Sequence, residues 1–184
     1  SELGTGSGGT RNISGTSSYH VRLEKCLAEL HHKDRALVFP SAYTANQSTI
    51  SILCKNIEEI EIFSDELNHA SLIEGIRNSK AKYHIFKHNN VVDLEKKLKT
   101  IDIDKPKLIV CESIYSMEGI RSPLKDIVKL AKKYNALTYL DEVHSVGLYG
   151  PSGSGIAAEL GISDDIDIIN GTLSKSFGQM GGYI

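Results

Sequence analysis

The feature that most constrains the fold is a repeated alternation of short apolar runs with helical patterns. Apolar residues either recur at intervals of three and four, which is typical of a helix, or stand in short runs, which is typical of a buried strand. The predicted strands are 36–39, 60–63, 83–86, 108–111, 136–140 and 166–169, and another begins near 181–184. The predicted helices are 20–32, 42–54, 70–78, 91–99 and 123–134. This order predicts an α/β fold with a mostly parallel sheet flanked by helices.

Composition excludes several classes of function. The chain has 184 residues and a formal net charge of −2, so no basic surface for nucleic acid or an anionic membrane is predicted. No stretch approaches the roughly 20 apolar residues that span a bilayer. The histidines and cysteines show no metal-ligand spacing, and no metal site is predicted.

Polar residues with catalytic potential follow the predicted strands. In parallel α/β sheets, ligands bind beyond the carboxyl ends of the strands. The residues at or just after those ends are His69, Ser113, Ser116, Asp141, His144, Thr172 and Lys175. If the strands are parallel, these residues meet at one edge of the sheet.

The segment 140–144, which contains Asp141 and Glu142, has two interpretations. It resembles the acidic box of helicase-type ATPases, but that site needs a phosphate loop. The nearest match, 171–176, follows the box and has Ser174 in place of the second glycine. The alternative is a pyridoxal phosphate site, in which a carboxylate keeps the pyridine nitrogen protonated and a lysine forms an imine. Asp141 alone also fits a strand-end cap and Lys175 alone a surface lysine, but together they favour pyridoxal phosphate.

Two further segments could approach a phosphate. Lys175 lies in a run of small residues, 171–178, that lets the backbone come close to a ligand and supplies hydroxyl groups. Ser41 precedes a predicted helix directly after a strand, and the N–H groups of a helix N-terminus bind anions. Ser41 also fits a simple helix cap, so this second site depends on the rest of the pattern.

Taken together, these motifs resemble the α-oxoamine synthases, fold-type I pyridoxal-phosphate enzymes that join an amino acid to an acyl-CoA with loss of CO₂. The resemblance covers essentially the whole chain. It is carried by His20-x-x-Leu23-Glu24, Ser41-Ala42-Tyr43-x-Ala45-Asn46, Asp65-x-Leu67-Asn68-His69-Ala70-Ser71, Glu112-Ser113-x-Tyr115-Ser116-Met117, Asp141-Glu142-x-His144 and Gly171-Thr172-x-x-Lys175. Ser174 and Ser176 depart from the family pattern, which commonly has Gly or Ala at the first position and Ala at the second.

The resemblance implies a domain organisation. The expected fold is the PLP-dependent transferase fold type I, and 1–184 would be the central part of its large PLP-binding domain. Residues 1–18 would be a Gly-rich segment on the substrate side, although their composition alone also fits a flexible linker. Residues 19–184 would be the α/β cofactor domain. The small C-terminal domain is expected to be absent from this fragment.

The resemblance also implies a reaction. The segments 8–16 and 141–150 resemble those of members that condense glycine with succinyl-CoA on a route to heme. The alternatives are a sister synthase, of the 2-amino-3-oxobutyrate CoA ligase or 8-amino-7-oxononanoate synthase type, and a non-catalytic partner subunit. Family members are homodimers with the active site at the interface. The expected compartment is the bacterial cytoplasm or, in a eukaryote, the mitochondrial matrix.

Site roles follow from the same resemblance. Lys175 would hold the cofactor and abstract a proton from glycine, Asp141 would pair with the pyridinium nitrogen, and His69 would stack on the ring. The other expected contacts are His144 and Ser116 near the phenolic oxygen, Ala42, Tyr43 and Thr172 at the phosphate, and Thr10, Arg11, Asn12 and Ser64 on the substrate side.

Overall fold

The structure is a computed structural model that describes residues 9–184, apart from the side chain of Ser14. Residues 1–8 of the predicted Gly-rich segment lie outside the described residues. The α-helices are α1 (Arg11–Ser14), α2 (Ser18–His31), α3 (Ala42–Asn56), α4 (Ala70–Ser79), α5 (Val91–Leu98), α6 (Leu124–Lys133) and α7 (Ile156–Glu159). The strands are β1 (Val38–Phe39), β2 (Glu61–Asp65), β3 (Lys82–Phe86), β4 (Lys107–Glu112), β5 (Leu137–Asp141), β6 (Ile168–Thr172) and β7 (Gly182–Tyr183).

All the strands join one seven-stranded sheet in the order β1-β7-β6-β5-β4-β2-β3. The strands from β3 through β2, β4 and β5 to β6 are parallel to their neighbours. Only β7, against β6, and β1, against β7, pair antiparallel. The predicted mostly parallel α/β sheet is therefore confirmed.

The helices cover both faces of the sheet, as the alternation of side chains along each strand requires. In β4, Leu108 and Val110 join one buried cluster with α3 and α4, whereas Ile109 joins a second cluster with α5, α6 and α7. In β5, Tyr139 faces α3 and Leu140 faces the opposite layer. This alternation decides which polar side chain at each strand end lies on which face.

The helix and strand predictions are confirmed with small shifts at their ends. Pro123 was expected within the first turn of a helix, but it lies at the N-cap and α6 begins at Leu124. Strands β4 and β5 run one residue further than predicted, to Glu112 and Asp141. Within 9–184, no helix combines the length and hydrophobicity needed to cross a membrane.

Candidate active site

The carboxyl ends of β4, β5 and β6 bring distant residues together. Glu112 lies opposite Asp141 in the parallel register, and Asp141 lies opposite Asn170. Thr172 ends β6, and His69 is the N-cap of α4, which follows β2. The sequence-predicted residues of these four segments therefore share one edge of the sheet.

Asp141 is a buried carboxylate that the protein does not neutralise. It is 2% exposed. One oxygen accepts a hydrogen bond from the side-chain amide of Asn46 at 2.7 Å, and the other accepts from the backbone N–H of Val143 at 3.0 Å. In the described part of the chain, no lysine, arginine or histidine nitrogen lies within 4.0 Å of it. A buried charge without a counter-ion is costly, so this carboxylate suits a cationic ligand group.

His69 is held at the same edge by its own helix and by β4. Its backbone N–H donates to Glu112 Oε1 at 2.6 Å. Its ring Nδ1 accepts from the backbone N–H of Ser71 at 3.2 Å, which caps α4. The ring also lies edge-on to Tyr43, with centroids 6.1 Å apart. Because the His69 ring is exposed yet fixed, it presents a face on which a flat ligand can stack.

The charged groups of the site act on one another electrostatically. Burial lowers the pKa of the half-buried His144, the positive charge of Lys175 lowers it further, and the charge of Asp141 raises it. Burial raises the pKa of Glu112 to about 8, and the neighbouring charge of Asp141 contributes to this rise. Lys175 and Ser116 are both exposed. The structure therefore places the predicted Lys175, His144 and Asp141 within electrostatic reach.

A second cluster forms where α3 begins. The side chain of Ser41 accepts from the backbone N–H of Thr44 at 3.1 Å, whereas the N–H groups of Ala42 and Tyr43 find no acceptor in the described residues. A Cβ at Gly182 would lie 2.1 Å from the nitrogen of Ala42, so β7 runs directly against the start of this helix. Thr172 pairs with Gly182.

The predicted phosphate contacts Ala42, Tyr43 and Thr172 are therefore neighbours. Free N–H groups at the start of a long helix, beside a hydroxyl, form a suitable anion site.

The hydroxyls beside Lys175 tie its loop to the rest of the site. Ser176 donates to the carbonyl oxygen of Val146 at 2.6 Å, and Ser174 lies 2.8 Å from the hydroxyl of Thr172. A Cβ at Gly147 would lie 2.0 Å from Ser176 Oγ, so only glycine permits this approach. The two serines that depart from the family pattern thus hold the loop in place.

Comparison with known proteins decides the family. The sequence model of the family "Aminotransferase class I and II" matches residues 2–184. This chain belongs to that family.

Individual relatives show which members of the family this chain is similar to. The chain is 57% identical over 183 residues to 5-aminolevulinate synthase of Rickettsia typhi, covering 100% of this chain and 44% of the relative. It is 55% identical over 182 residues to the mitochondrial 5-aminolevulinate synthase of Schizosaccharomyces pombe, covering 98% and 33%. A serine palmitoyltransferase from S. paucimobilis, solved with a bound PLP–myriocin aldimine, superimposes with a TM-score of 0.90 at 36% identity, covering 99% and 45%. The chain thus spans less than half the length of these relatives.

The residues of this aminotransferase-family chain fit pyridoxal phosphate. The cofactor needs a carboxylate for its ring nitrogen, a lysine for its carbonyl carbon and an anion site for its phosphate. Asp141, Lys175 and the start of α3 supply these three groups at one sheet edge. The uncompensated charge of Asp141 is the observation that makes the fit specific.

The ATPase interpretation of this family member is wrong. After Thr172 the chain forms no helix before β7, so 171–176 lacks the loop-to-helix arrangement of a phosphate loop. Glu142 is fully buried, and its carboxylate accepts from the backbone N–H groups of Ile156 and Ala157. A carboxylate used in this way is not free to hold magnesium.

Of the predicted substrate-side residues, Arg11 is anchored through Glu24 to α2 and β1. The guanidinium of Arg11 bonds both carboxylate oxygens of Glu24, which also accepts from the N–H of Val38 at 3.0 Å. Because α1 is anchored in this way, its residues do not behave as a free linker. Thr10 and Asn12 are exposed.

Ser64 differs from those three residues. It is 4% exposed, and its hydroxyl accepts from Asn68 and donates to the carbonyl oxygen of Asp65. The structure therefore places Ser64 inside the sheet layer and not on the accessible surface of the site.

Sequence reasoning assigned no role to Glu112, Asn46 or Ser71, although all three stand in the quoted motifs. The structure places Glu112 beside Asp141, and it places Asn46 and Ser71 between Asp141 and His69. The position of Glu112 could be predicted from the sequence, because it directly follows a predicted apolar strand, as Asp141 does. For Asn46 and Ser71 no local pattern distinguishes them from other polar residues of a helix.

Proposed function

We propose that this chain is the cofactor-binding part of a 5-aminolevulinate synthase, which condenses glycine with succinyl-CoA to 5-aminolevulinate, CoA and CO₂ in the first step of heme biosynthesis. The observation that carries the proposal is the buried, uncompensated carboxylate of Asp141 at the edge that also holds Lys175. The 57% identity to the enzyme of Rickettsia typhi supports the choice of reaction. The compartment proposed is the bacterial cytoplasm or, in a eukaryote, the mitochondrial matrix.

Bound pyridoxal phosphate supplies an electron sink for the electron pair left when the glycine α-carbon loses its proton. Asp141 holds a proton on the ring nitrogen, because its charge has no counter-ion within 4.0 Å in the part of the chain that the structure describes. The amine of Lys175 binds the cofactor and then moves the proton at the glycine α-carbon. Its exposed position on a loop after β6 gives this amine access to a ligand.

The other residues orient the ligands. The His69 ring packs on the face of the cofactor ring, and His144 and Ser116 lie toward its phenolic oxygen. Thr172 and the N–H groups at the start of α3 bind the phosphate. Because burial and Lys175 lower the pKa of His144, this imidazole is neutral at neutral pH and is able to accept a hydrogen bond.

Two copies of the protein complete the site in this proposal. Thr10, Arg11 and Asn12 lie toward the acyl-CoA, where a cation and an amide suit the terminal carboxylate of succinyl and where that carboxylate replaces Glu24 as the partner of Arg11. Large apolar side chains stand exposed near the site residues, namely Met117, Leu148, Phe177 and Met180. Exposed apolar surface of this kind favours a protein contact.

The test measures CoA release by the full-length protein with pyridoxal phosphate and glycine. Succinyl-CoA, acetyl-CoA and a long-chain acyl-CoA are compared at equal concentration, and 5-aminolevulinate is assayed directly. We expect strong preference for succinyl-CoA. Lys175→Ala should abolish turnover, whereas Lys82→Ala, at the opposite edge of the sheet, should not. A preference for another acyl-CoA would indicate a sister synthase and would reject the substrate roles of Thr10, Arg11 and Asn12.

Assembly needs a separate measurement. Light scattering on the full-length protein should give a dimer, and Met180→Glu should weaken it. A protein that is monomeric at working concentration and fully active contradicts the two-copy site.

A further inference from the structure

Asn46 lies at the centre of a buried hydrogen-bond network behind the site. It is 1% exposed, on the face of α3 that packs against β5 and α4. Its side-chain nitrogen donates to Asp141 Oδ2 at 2.7 Å and to Ser71 Oγ at 2.9 Å, and its oxygen accepts from the hydroxyl of Tyr139 at 2.8 Å. Both amide hydrogens and the carbonyl are thus in use.

The direction of these bonds is set at the other end of the network. The backbone N–H of Ser71 bonds Nδ1 of His69 at 3.2 Å, and a backbone N–H can only donate. Nδ1 therefore carries no proton, and the hydroxyl of Ser71, 2.8 Å from the same nitrogen, is a donor that shares the single lone pair of Nδ1 with the backbone N–H. The oxygen of Ser71 is then free to accept from Asn46.

We infer that Asn46 is a positioning residue that holds the Asp141 carboxylate and, through Ser71, keeps the ring proton of His69 on Nε2. The inference rests on the proposed function, since it concerns how Asp141 and His69 meet pyridoxal phosphate. One amide thereby couples the group that pairs with the ring nitrogen to the group that stacks on the ring. Asn46 and Ser71 are each 1% exposed, so both act from behind the surface of the site.

The chemistry requires an amide at this position. An ionised carboxylate accepts hydrogen bonds and cannot donate, so the atom facing Asp141 must be a donor. The hydroxyl of Tyr139 satisfies the amide oxygen and prevents the amide from flipping. Aspartate at position 46 would have the same shape but would place a second carboxylate against the first.

The first test measures pyridoxal phosphate affinity from the absorbance of the bound cofactor, in the full-length protein. Hydrogen bonds to charged groups are worth about 1.5–3 kcal/mol, so Asn46→Ala should weaken binding roughly 10- to 100-fold. Asn46→Asp removes no volume but replaces the N–H donor that faces Asp141, so its affinity should lie below that of wild type and should vary with pH, because two adjacent carboxylates share a proton that an amide does not exchange. Wild-type affinity should lack this pH dependence.

Cys54→Ala is the matched control, because Cys54 is buried on the same helix and contributes packing alone. It should lower the melting temperature while leaving the affinity within about threefold. If the affinities of all three variants follow their melting temperatures, or if Asn46→Asp binds like wild type at every pH, the positioning role is rejected.

The second test addresses the His69 end by ¹⁵N NMR of histidine-labelled protein, with His69→Gln for assignment. Nδ1 of His69 should be unprotonated in the wild type. Ser71→Ala removes the hydroxyl donor and should introduce a measurable fraction of the other tautomer. A protonated Nδ1 in the wild type overturns the inference. Because this measurement needs no turnover, it distinguishes failure of the network from failure of the proposed reaction.

Discussion

Buried carboxylates at the two ends of the same parallel sheet have opposite electrostatic surroundings. At the amino end, Glu61 is 3% exposed and lies against Lys105 at 2.9 Å, Lys82 at 3.3 Å and His84 at 2.5 Å. Burial raises the pKa of Glu61, but hydrogen bonds from these three groups outweigh it and hold the pKa at about 2.

At the carboxyl end, Glu112 has the same side chain and a similar burial but no cation within 4.0 Å among the described residues. Burial, followed by the charge of Asp141, raises its pKa to about 8. Its one strong partner is the backbone N–H of His69.

The difference separates a structural cluster from a site. Where the fold supplies the counter-charges, the carboxylate stabilises the fold and has no capacity left for a ligand. Where two buried carboxyl groups lie side by side and no cation lies within 4.0 Å among the described residues, one keeps its proton and the other carries a charge that a cationic ligand relieves. This contrast predicts that removing a charge at the amino end destabilises the fold, whereas neutralising the carboxylate of Glu112 at the carboxyl end stabilises the cofactor-free protein.

The largest expected effect is that of removing the lysine at the carboxyl end. Lys175→Ala should reduce turnover at least about 10³-fold, because both cofactor attachment and proton transfer depend on its amine. The absorbance of the lysine-bound cofactor should disappear. Lys105→Ala, which removes a lysine at the amino end, should instead lower the melting temperature while turnover persists. Comparable losses of turnover in the two variants would break the comparison.

Glu112→Gln tests the uncompensated carboxylate. Because the folded-state pKa is raised, the folded protein binds a proton that the unfolded chain releases, and stability falls as pH rises from about 4.5 to about 8. The variant should lack this fall, and at pH 8 the cofactor-free full-length protein should gain on the order of 3 kcal/mol over wild type. Urea unfolding at pH 5 and pH 8 measures the difference. Parallel pH profiles for variant and wild type contradict the raised pKa.

Glu61→Gln tests the compensated carboxylate. Its folded-state pKa is lowered, so the stabilisation is present above about pH 4.5 and is lost as pH falls from there to about 2. At pH 7 the free energy of unfolding of the variant should be lower than that of wild type by on the order of 2 kcal/mol, because the nearby lysines keep their charge without a partner. At pH 2.5 the gap to wild type should narrow. A gap that stays constant with pH would show that packing, not charge, is lost.

The smallest expected effect belongs to the loop that carries Lys175. Ser176→Ala removes the hydrogen bond to the carbonyl oxygen of Val146 and should lower the free energy of unfolding by about 1 kcal/mol. Turnover should change less than about threefold, since Lys175 remains. A much larger loss of turnover would assign this hydroxyl a direct part in the chemistry.

The fold was largely predictable because its pattern is local. Each buried strand appears as an apolar run, and each helix shows apolar residues at helical spacing with a readable start, as at Ser41. Element ends were less predictable. Glu112 and Asp141 belong to their strands although they are charged, because the parallel register continues to the edge of the sheet.

The site was predictable where a residue's place follows from its strand. Asp141, Thr172 and Lys175 were expected at one edge on the condition that the strands are parallel, and the structure meets that condition. The Asn46–Ser71 connection was not predictable, because it joins α3, α4 and β5 through side chains that are 25 and 95 positions apart in sequence.

Asp141 and Glu142 show most clearly what the sequence determines and what the tertiary structure determines. By itself, the sequence determined that two neighbouring carboxylates, Asp141 and Glu142, directly follow an apolar strand. Only the tertiary structure decided their roles. Asp141 accepts from the side-chain amide of Asn46 on α3 and from the backbone N–H of Val143, and no cation lies within 4.0 Å among the described residues, whereas the backbone N–H groups of α7 satisfy Glu142. The hydrogen-bond partners that each carboxylate receives depend on the helix that packs against its side of the sheet. That packing exists only in the folded layers.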